Sequence, residues 1–460
     1  MPGKSEAIAI YDVGKTNKKL FLFNRQYEIL HEESIQVDEK QDEDHFPCED
    51  IEAVRAWIID SLSGILAMPG IRLRAVNFCA YGASLVHVDE QGRILTPLYN
   101  YLRPYPSALH RMFYDSYGGE KDFALKTASP VLDSLNSGLQ LYRLKYEQPG
   151  LFSRIRYSLH LPEWLSSIVT GKYFSGISSI GCHTGLWDFQ KNDYHEWVHL
   201  ESMDRVLAPI HPLDRPMEIE WNSHAFKAGV GIHDSSAALI PYLLNFTEPF
   251  ILISTGTWNI SLNPFNHSPL SSYELENDCL CYLQYQGNPV KASRLLAGID
   301  HDRQIERISE FFHVSPDSYT GIGFEKDFLE EGFEEMLKYP QGNGQMPIAF
   351  AQREISGFKN LAHAYHHLML DLVVRQTFST GLIMGNHNIK NLFVDGGFSR
   401  NPVFMNLLAI AFAGLRVSAS AVPQASSIGA ALAIHGSWNE SELPKNLIRL
   451  QHYASPMHLH

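Results

Sequence analysis

The chain has few cysteines for its length, with five among 460 residues. The number is odd, and no two cysteines have the Cys-x-x-Cys spacing of redox and zinc motifs. This pattern argues against a disulfide framework and is typical of a reducing compartment. Cys279 and Cys281 stand close together, but two thiolates are too few for a structural zinc site. We therefore expect free thiols.

Long apolar runs are also missing from the sequence. No stretch approaches the roughly 20 apolar residues that span a bilayer, and the first residues lack the apolar core of a signal peptide. The net charge of −14 disfavours nucleic acid or an anionic membrane surface as a main partner. An acidic enzyme can still bind an anionic nucleotide if its site supplies local cations and backbone donors. We therefore expect a cytoplasmic protein that acts on small molecules.

Two stretches of the chain, 242 positions apart, share one template. The coincident pairs are Gly14/Gly256, Asn17/Asn259, Leu20/Leu262, Phe23/Phe265 and Asn24/Asn266. Residues 12–24 and 254–266 align without a gap, and each stretch follows a short apolar run. Each predicts a strand, a tight turn with glycine and hydroxyl residues, and a second strand. Because a glycine turn lets backbone N–H groups approach a phosphate, the template predicts two similar domains that hold one polyphosphate between them.

The length of the chain is sufficient for two or three domains. In the first half the patterns predict strands over residues 7–37, a helix over 51–68 and a strand over 74–80. In the second half they predict a hairpin over residues 250–263, helices over 350–356, 358–384 and 400–413, and a strand over 392–397. The loop and helix at residues 228–248 mark the expected boundary, which gives domains 1–235 and 236–460.

The first template turn carries the charged residues. Asp12 stands where the first strand meets the turn. Its carboxylate either caps its own loop as an Asx turn or holds Mg²⁺, usually through water, beside phosphates. Lys15 and Lys19 either lie in solvent or neutralise phosphate charge. The phosphate-binding candidates of this turn are Gly14, Lys15, Thr16, Asn17 and Lys19.

The second template turn has Ser254 at the position of Asp12. Thr255, Gly256 and Thr257 offer hydroxyl groups and backbone N–H groups to the other side of the phosphates. The alternative is a routine β-turn, which is less favoured because the whole template recurs. The second copy therefore predicts a phosphate site without a carboxylate.

A third motif is Val-Asp-Gly-Gly-Phe-Ser-Arg-Asn-Pro at residues 394–402, which predicts a buried strand, a double-glycine turn and a helix start. Asn401 is a good N-cap and a candidate nucleotide-binding residue, and Pro402 fits the first helical position. Gly396 and Gly397 leave a flat surface without side chains, against which a planar adenine would lie. The alternative is a strand–helix connection whose glycines serve only the turn, and the motif by itself leaves both interpretations open.

A fourth motif, at residues 229–238, delivers His233 and Asp234 just before a helix predicted over Ala237–Leu244. The dipole of a helix N-terminus favours the ionised form of a carboxylate such as Asp234. The alternative interpretation is a helix-capping aspartate. The functional one is a general base that takes a proton from an attacking hydroxyl.

Together these motifs resemble the FGGY family of carbohydrate kinases, within the actin-like ATPase superfamily. The resemblance runs from Ile8 to about Ala433 and also includes Leu-Pro-Glu-Trp-Leu at residues 161–165 and Gln-Ala-Ser-Ser-Ile-Gly at residues 424–429. The His-Asp pair and the small residues after it are most similar to the rhamnulokinase branch. That resemblance implies that Asp234 is the catalytic base.

The same resemblance implies a sugar site on the first domain. His233 and Gly82 would contact the sugar, with Tyr81 standing where the branch has tryptophan, and we expect Arg103 nearby. The implied fold is α/β, with two actin-like (ribonuclease H-like) domains, each a mixed β-sheet flanked by helices, around an ATP cleft. The implied cofactors are ATP and Mg²⁺, with Asp12 on the metal.

We therefore expect an ATP-dependent kinase that phosphorylates a hydroxyl of a ketose, with L-rhamnulose, L-fuculose, xylulose and ribulose as candidate substrates. One alternative is a catalytically silent sugar or nucleotide sensor on the same fold, and a second is an actin-like ATPase acting as a chaperone or filament protein. Asp234 weighs against the sensor because a sensor would not need the base. Beyond these ligands we expect no nucleic acid or membrane partner, and a homodimer stays open.

Overall fold

The first half of the chain is built around a main mixed β-sheet. A computed structural model describes residues 4–328, 346–347 and 349–454 of the protein. The strands of this half are β1 (Ser5–Val13), β2 (Lys18–Asn24), β3 (Ile29–Ile35), β4 (Glu39–Gln41), β5 (Pro47–Glu49), β6 (Ile71–Ala80), β7 (Leu85–Val88), β8 (Tyr157–His160), β9 (Trp187–Asp188), β10 (Asp193–Tyr194), β11 (Met217–Trp221), β12 (His224–Ala228) and β13 (Ile232–His233). The main sheet has the order β11-β12-β6-β1-β2-β3, and β13 also pairs with β6. The other strands form the two-stranded pairs β4/β5, β7/β8 and β9/β10.

The described residues of the second half form a mixed sheet of seven strands with the order β16-β17-β15-β14-β18-β19-β20. Its strands are β14 (Phe250–Thr255), β15 (Asn259–Asn263), β16 (Cys279–Leu283), β17 (Pro289–Leu295), β18 (Asn391–Gly396), β19 (Arg416–Ala421) and β20 (Arg449–Tyr453). The apolar runs that precede the two template turns lie on the central strands β1 and β14 and are buried. A strand covered on both faces reads as a continuous apolar run, which explains why the two strands look alike in sequence.

The two sheets repeat one pairing pattern. β1 pairs antiparallel with β2 and parallel with β6. β14 pairs antiparallel with β15 and parallel with β18. The repeated hairpin predicted from the sequence is therefore confirmed, as is the mixed α/β class of both halves. Because β1 and β14 run out of their sheets into the template turns, each turn lies at the carboxyl end of a central strand.

Helices flank both sheets. Those of the first half are α1 (Ile51–Ala67), α2 (Ser107–Ser116), α3 (Gly119–Thr127), α4 (Ser137–Glu147), α5 (Pro149–Phe152), α6 (Leu161–Thr170), α7 (Ile177–Ile180), α8 (Glu196–Leu200) and α9 (Asp234–Asn245). Those of the second half are α10 (Ser272–Glu276), α11 (Ala297–Phe312), α12 (Leu361–Met384), α13 (Pro402–Ala411), α14 (Ala425–Ala433) and α15 (His435–Trp438). Short 3₁₀ turns cover Asp133–Leu135, Met203–Arg205, Pro316–Gly321, Lys326–Phe328, Phe350–Gln352, Ile355–Gly357 and Phe398–Arg400. Among the described residues, none of these helices combines the length and apolarity that a membrane crossing requires.

The helix predicted over residues 350–356 is wrong. The structure has two separate 3₁₀ turns there, with Arg353 extended between them. The guanidinium of Arg353 donates to Asp371 on α12, and Arg307 on α11 donates to the backbone carbonyls of Ala351 and Arg353. Long-range contacts therefore take the carbonyl groups that a helix would use, and local sequence does not reveal such contacts.

Helix α14 connects the two halves of the molecule. Although it lies between β19 and β20 of the second sheet in the chain, it packs against β1, β6 and α9. The side-chain amide of Asn77 on β6 donates to the carbonyl of Ala430 at 2.8 Å. Gly429 lies so close to α9 that a Cβ there would be 1.8 Å from the carbonyl oxygen of Ala237. The helix is therefore fixed against the first sheet, next to the end of β1.

Candidate active site

The first template turn is closed by its own backbone and held from below by a buried ion pair. The N–H of Gly14 donates to the carbonyl of Asn17 at 2.9 Å. Lys18 donates from Nζ to the carbonyl of Lys15 at 3.1 Å and pairs with Glu49 at 2.9 Å. The Lys18 and Glu49 side chains are only 2% and 4% exposed. The pair therefore fixes the shape of the turn from inside the protein.

The two lysines predicted to contact phosphate have acidic partners near the surface. Lys15 lies 3.7 Å from Glu39, and Lys19 lies 3.7 Å from Glu32. Lys19 is directly opposite Asp12 in the β1–β2 register, so both side chains project from the same face of the sheet. Surface ion pairs of this kind contribute little, so an arriving phosphate would compete for both ammonium groups.

The second template turn is fixed by contacts with other segments of its own half. The hydroxyl of Thr255 donates to the carbonyl of Asp395 at 2.5 Å and accepts from the N–H of Phe398 at 3.0 Å. The N–H of Gly256 donates to the backbone carbonyl of Trp258 at 3.0 Å, which closes the turn. The start of α11 touches the turn, since a Cβ on Gly298 would be 2.1 Å from the carbonyl oxygen of Gly256. The Thr255 hydroxyl therefore joins this turn to the double-glycine motif.

The double-glycine motif lies directly beside that turn. Gly396 has a φ of +88°, and a Cβ on it would be 1.9 Å from the carbonyl oxygen of Thr255. The N–H of Gly397 donates to the same carbonyl at 3.1 Å, while a Cβ on Gly397 would meet no atom within 4 Å. Gly396 is therefore required for the close approach, and Gly397 leaves an open surface. Asn401 caps α13 through the N–H groups of the next residues, as predicted, and its amide also donates to Tyr365.

A cavity of about 560 Å³ opens over the second turn and the double glycine. Its lining includes Gly256, Thr257, Gly397, Asn401, His301 and Tyr319. The first four were predicted as nucleotide-binding residues, so the structure brings the second and third motifs to one cavity. The sequence patterns did not point to His301 on α11 or to Tyr319, because neither residue lies in a repeated or glycine-rich segment.

Asp234 is the first residue of α9 and borders a second cavity of about 360 Å³. Ser254 of the second template and Ser426 of α14 line the same cavity. The Asp234 side chain is 34% exposed, and its Oδ1 accepts from the N–H of Ser235 at 2.6 Å. Burial, together with the negative charge of Asp12, raises the pKa of Asp234 to about 6. This carboxylate therefore titrates near neutrality, in the range suited to a general base.

His233 lies between Asp234 and the loop after β6. Its Nε2 is 3.4 Å from Oδ1 of Asp234 and 3.6 Å from Sγ of Cys182. A Cβ on Gly82 would be 2.9 Å from the His233 ring, so this glycine makes room for the imidazole. Burial lowers the pKa of His233 to about 4, which keeps the ring neutral at physiological pH. The structure thus brings Gly82, His233 and Asp234 into one group.

The other two residues predicted for the sugar differ in their surroundings. Tyr81 is buried next to Gly82 and donates its hydroxyl to Glu49 at 2.7 Å, so it shares the carboxylate that holds the first turn. The guanidinium of Arg103 points to a separate acidic loop, where it pairs with Asp42, Glu43 and Asp44. The structure does not place that guanidinium against the His233–Asp234 group.

Two tyrosines near the base were not predicted from the sequence. Tyr101 stacks edge-on against Tyr81 with 6.1 Å between ring centroids, and its pKa is raised by burial and by the charge of Asp234. Tyr282 on β16 lines the same cavity as Asp234. Both are aromatic residues in ordinary strand or loop patterns, so no local signal distinguishes them from core residues.

Asp12 lies at the junction of β1 and the first turn, as predicted, and receives two hydrogen bonds from α14. The hydroxyls of Ser426 and Ser427 donate to its Oδ2 at 2.5 Å and 2.7 Å. The segment 424–429 was recognised in the sequence, but no role was predicted for these serines. Their contact with Asp12 arises only because α14 packs on the first sheet.

The sequence matches two family models over most of its length. Residues 7–210 match the N-terminal domain of the FGGY family of carbohydrate kinases, and residues 247–442 match the C-terminal domain of carbohydrate kinase FGGY. Among solved structures, a carbohydrate kinase from Novosphingobium aromaticivorans is similar with a TM-score of 0.78 and 21% identity, covering 98% of this chain and 95% of that one.

Two further solved structures share the fold at lower identity. A ligand-bound xylulose kinase from Lactobacillus acidophilus has a TM-score of 0.73 and 14% identity, covering 98% of this chain and 94% of its own. A glycerol kinase from Plasmodium falciparum with ADP has a TM-score of 0.73 and 14% identity, covering 99% of this chain and 96% of its own.

Proposed function

We propose that this protein, which belongs to the FGGY family of carbohydrate kinases and is a carbohydrate kinase, transfers the γ-phosphoryl group of ATP to a hydroxyl of a ketose. The observation that carries the proposal is the position of Asp234. This carboxylate stands at the start of α9, beside His233 and in a cavity that Ser254 of the second template also lines. A base at that point would face both a bound sugar and the phosphates.

The proposed ATP site joins the two template turns. Adenine would lie over Gly397 in the cavity bordered by Asn401, and the phosphates would extend toward Thr257 and the first turn. Backbone N–H groups of both turns, with Lys15 and Lys19, would offset the phosphate charge. Thr255 supports this site indirectly, because its hydroxyl already bonds the double-glycine segment.

The donor set at Asp12 fits magnesium better than a metal held wholly by protein. No group of three or more His, Cys, Asp or Glu side chains suited to a metal occurs in the part of the chain that the structure describes. Mg²⁺ prefers one or two carboxylates together with phosphate oxygens and water, and Asp12 supplies one carboxylate. We therefore propose that Asp12 holds the ion through water. When bound, the ion would neutralise charge on the β- and γ-phosphates.

The proposed sugar site surrounds Gly82 and His233, with the Tyr101 ring nearby. His233 is neutral, so its imidazole would hydrogen-bond a sugar hydroxyl without a net charge. The candidate substrates remain L-rhamnulose, L-fuculose, xylulose and ribulose. Arg103 is a weaker candidate for a sugar contact, because three carboxylates already surround its guanidinium.

In the proposed reaction Asp234 accepts the proton of the attacking sugar hydroxyl. The hydroxyl oxygen forms a bond to the γ-phosphorus as the bond from that phosphorus to the β,γ-bridging oxygen breaks, and ADP leaves. With a pKa of about 6, Asp234 is largely ionised at pH 7 and ready to accept the proton. Positioning and charge neutralisation supply most of the catalysis in phosphoryl transfer, so the base adds to a preformed site.

The proposal is tested by measuring ADP release with a panel of rhamnulose, fuculose, xylulose and ribulose. We expect one ketose to stimulate ADP release well above the sugar-free rate, with one equivalent of sugar phosphate formed for each ADP. A protein that binds ATP and a ketose without turnover would instead be a sensor. ATP hydrolysis that no sugar stimulates would favour an actin-like ATPase.

Three further features stay predictions. We propose the division of the chain into domains 1–235 and 236–460, a cytoplasmic location, and the absence of nucleic-acid and membrane partners. Light scattering at several protein concentrations would test for a homodimer.

A further inference from the structure

Helix α14 (Ala425–Ala433) presents two hydroxyl groups to one oxygen of Asp12. Ser426 and Ser427 both donate to Oδ2, at 2.5 Å and 2.7 Å, across more than 400 positions of the chain. Hydrogen bonds to an ionised carboxylate are shorter and stronger than neutral ones. Two donors on the same oxygen fix the rotation of the carboxyl group and leave Oδ1 unengaged by them.

The two hydroxyls do not cap their own helix. Serines near a helix N-terminus commonly bond the helix backbone, but here the N-cap residue is Gln424, which makes no side-chain cap bond. Ser426 and Ser427 instead direct their protons outward to a carboxylate on β1. A role in local helix formation therefore does not account for them.

The helix that carries the serines is held rigidly. Ser427 is fully buried, and Asn77 bonds the carbonyl of Ala430 at 2.8 Å. Gly429 touches the backbone of Ala237, three residues beyond Asp234 on α9. The same helix therefore contacts both the strand that carries Asp12 and the helix that carries Asp234.

We infer that Ser426 and Ser427 are positioning residues for the magnesium carboxylate: by binding Oδ2 of Asp12 they hold Oδ1 ready for the hydrated ion. The inference rests on the proposed function. Because α14 also packs on α9, it sets the spacing between the metal side of the cleft and Asp234. Groups that orient a metal-binding side chain typically contribute 10–100-fold to metal affinity or activity.

The test measures Mn²⁺ binding, as a substitute for Mg²⁺, to the full-length protein in the presence of ADP, with free Mn²⁺ followed by electron paramagnetic resonance. We expect the Ser426→Ala/Ser427→Ala variant to bind Mn²⁺ at least about 10-fold more weakly than the wild type. Its affinity for ADP without metal should stay within about twofold, a separation that a general loss of structure would not produce. The Mg²⁺ concentration for half-maximal turnover should rise in parallel.

Three single variants complete the comparison. Ser426→Thr keeps a hydroxyl and should bind Mn²⁺ with an affinity within about threefold of the wild type. Asp12→Asn should weaken Mn²⁺ binding at least as much as the double variant. Ser116→Ala, at an exposed serine whose hydroxyl bonds only its own helix α2, should leave it unchanged.

Mn²⁺ affinity within twofold of the wild type in the double variant would overturn the inference, as would a wild-type protein that binds no Mn²⁺ with ADP. If the double variant unfolds, the single variant Ser426→Ala replaces it, because Ser426 is less buried than Ser427. A loss of Mn²⁺ affinity below twofold in that variant would also overturn the inference. Failure of the proposed function has another signature, since the wild type would then release no ADP in response to any sugar.

Discussion

The two template turns share a backbone arrangement but are stabilised by different interactions. The first lies over the buried Lys18–Glu49 ion pair and places Asp12 at its start. The second has Ser254 at the equivalent position and is held by the Thr255 hydroxyl and by backbone contact with Gly396. The repeated hairpin thus fixes where the two template turns lie, while the residues packed behind each turn decide which groups it presents. The first becomes the acidic side of the cleft and the second the side of backbone and hydroxyl donors.

The largest expected effect comes from a residue outside both turns. Asp234, and not a residue of either turn, is the proposed base. Asp234→Asn should therefore lower turnover by about 10²–10⁴-fold, because the amide cannot accept the proton. ATP and sugar affinities should change much less. The measurement is steady-state ADP release with separate calorimetric binding of each ligand. Turnover within tenfold of the wild type would mean that the base lies elsewhere, in one of the turns.

The next effect concerns the ion pair under the first turn. Glu49→Gln leaves Lys18 buried without a counter-charge and should lower the free energy of unfolding by about 3–5 kcal/mol. In the second turn, Thr255→Val removes a hydroxyl with two hydrogen bonds and should cost about 1–3 kcal/mol. Urea unfolding of both variants measures the difference. Equal losses would show that the two turns are held by interactions of similar strength, against our comparison.

A smaller effect distinguishes the glycines next to the two turns. Gly396→Ala places a Cβ 1.9 Å from the Thr255 oxygen at a φ of +88° and should cost about 2–3 kcal/mol. Gly14→Ala meets the Asn17 oxygen at 3.1 Å and does not have a positive φ, so it should cost less than about 1 kcal/mol. Thermal unfolding measures both. A larger loss for Gly14→Ala would contradict the closer packing of the second turn.

The smallest effect is a shift in pH dependence. The pKa of Asp234 is raised to about 6, first by burial and then by Asp12, so kcat/KM should fall as the pH drops through about 6. Asp12→Asn removes the nearby negative charge and should move this acid limb to lower pH, whereas Ser254→Ala should not. If the acid limb lies at the same pH in the wild type and in both variants, the charge of Asp12 does not influence the titration of Asp234.

The same group affects stability in a defined direction. Because the pKa of Asp234 is higher in the folded protein than its ordinary value of 3.8, the folded state binds this proton more tightly than the unfolded state does. Its contribution to stability is therefore complete below about pH 4 and is lost as the pH rises through about 6. Asp234→Asn should remove that part of the pH dependence of unfolding.

Local patterns were sufficient where a segment is stabilised mainly by its own neighbours or by burial. The template predicted both hairpins because apolar central strands and a glycine turn are visible in the sequence. Asn401 and Pro402 predicted the start of α13 because a cap acts within one helical turn. The helix expected over residues 350–356 failed for the opposite reason, since Arg307 and Asp371 hold that segment from distant helices.

The sequence by itself determined the family, the mixed α/β class, the two hairpins and a set of candidate residues at Asp12, Asp234 and the glycine turns. These depend on short-range patterns that chain spacing preserves. Only the tertiary structure decided which candidates meet. It placed Gly82 against His233, directed Arg103 to the acidic loop, and brought Ser426 and Ser427 to Asp12. The physical reason is that hydrogen bonds and close contacts act over a few ångströms, and folding alone determines which distant residues come within that range.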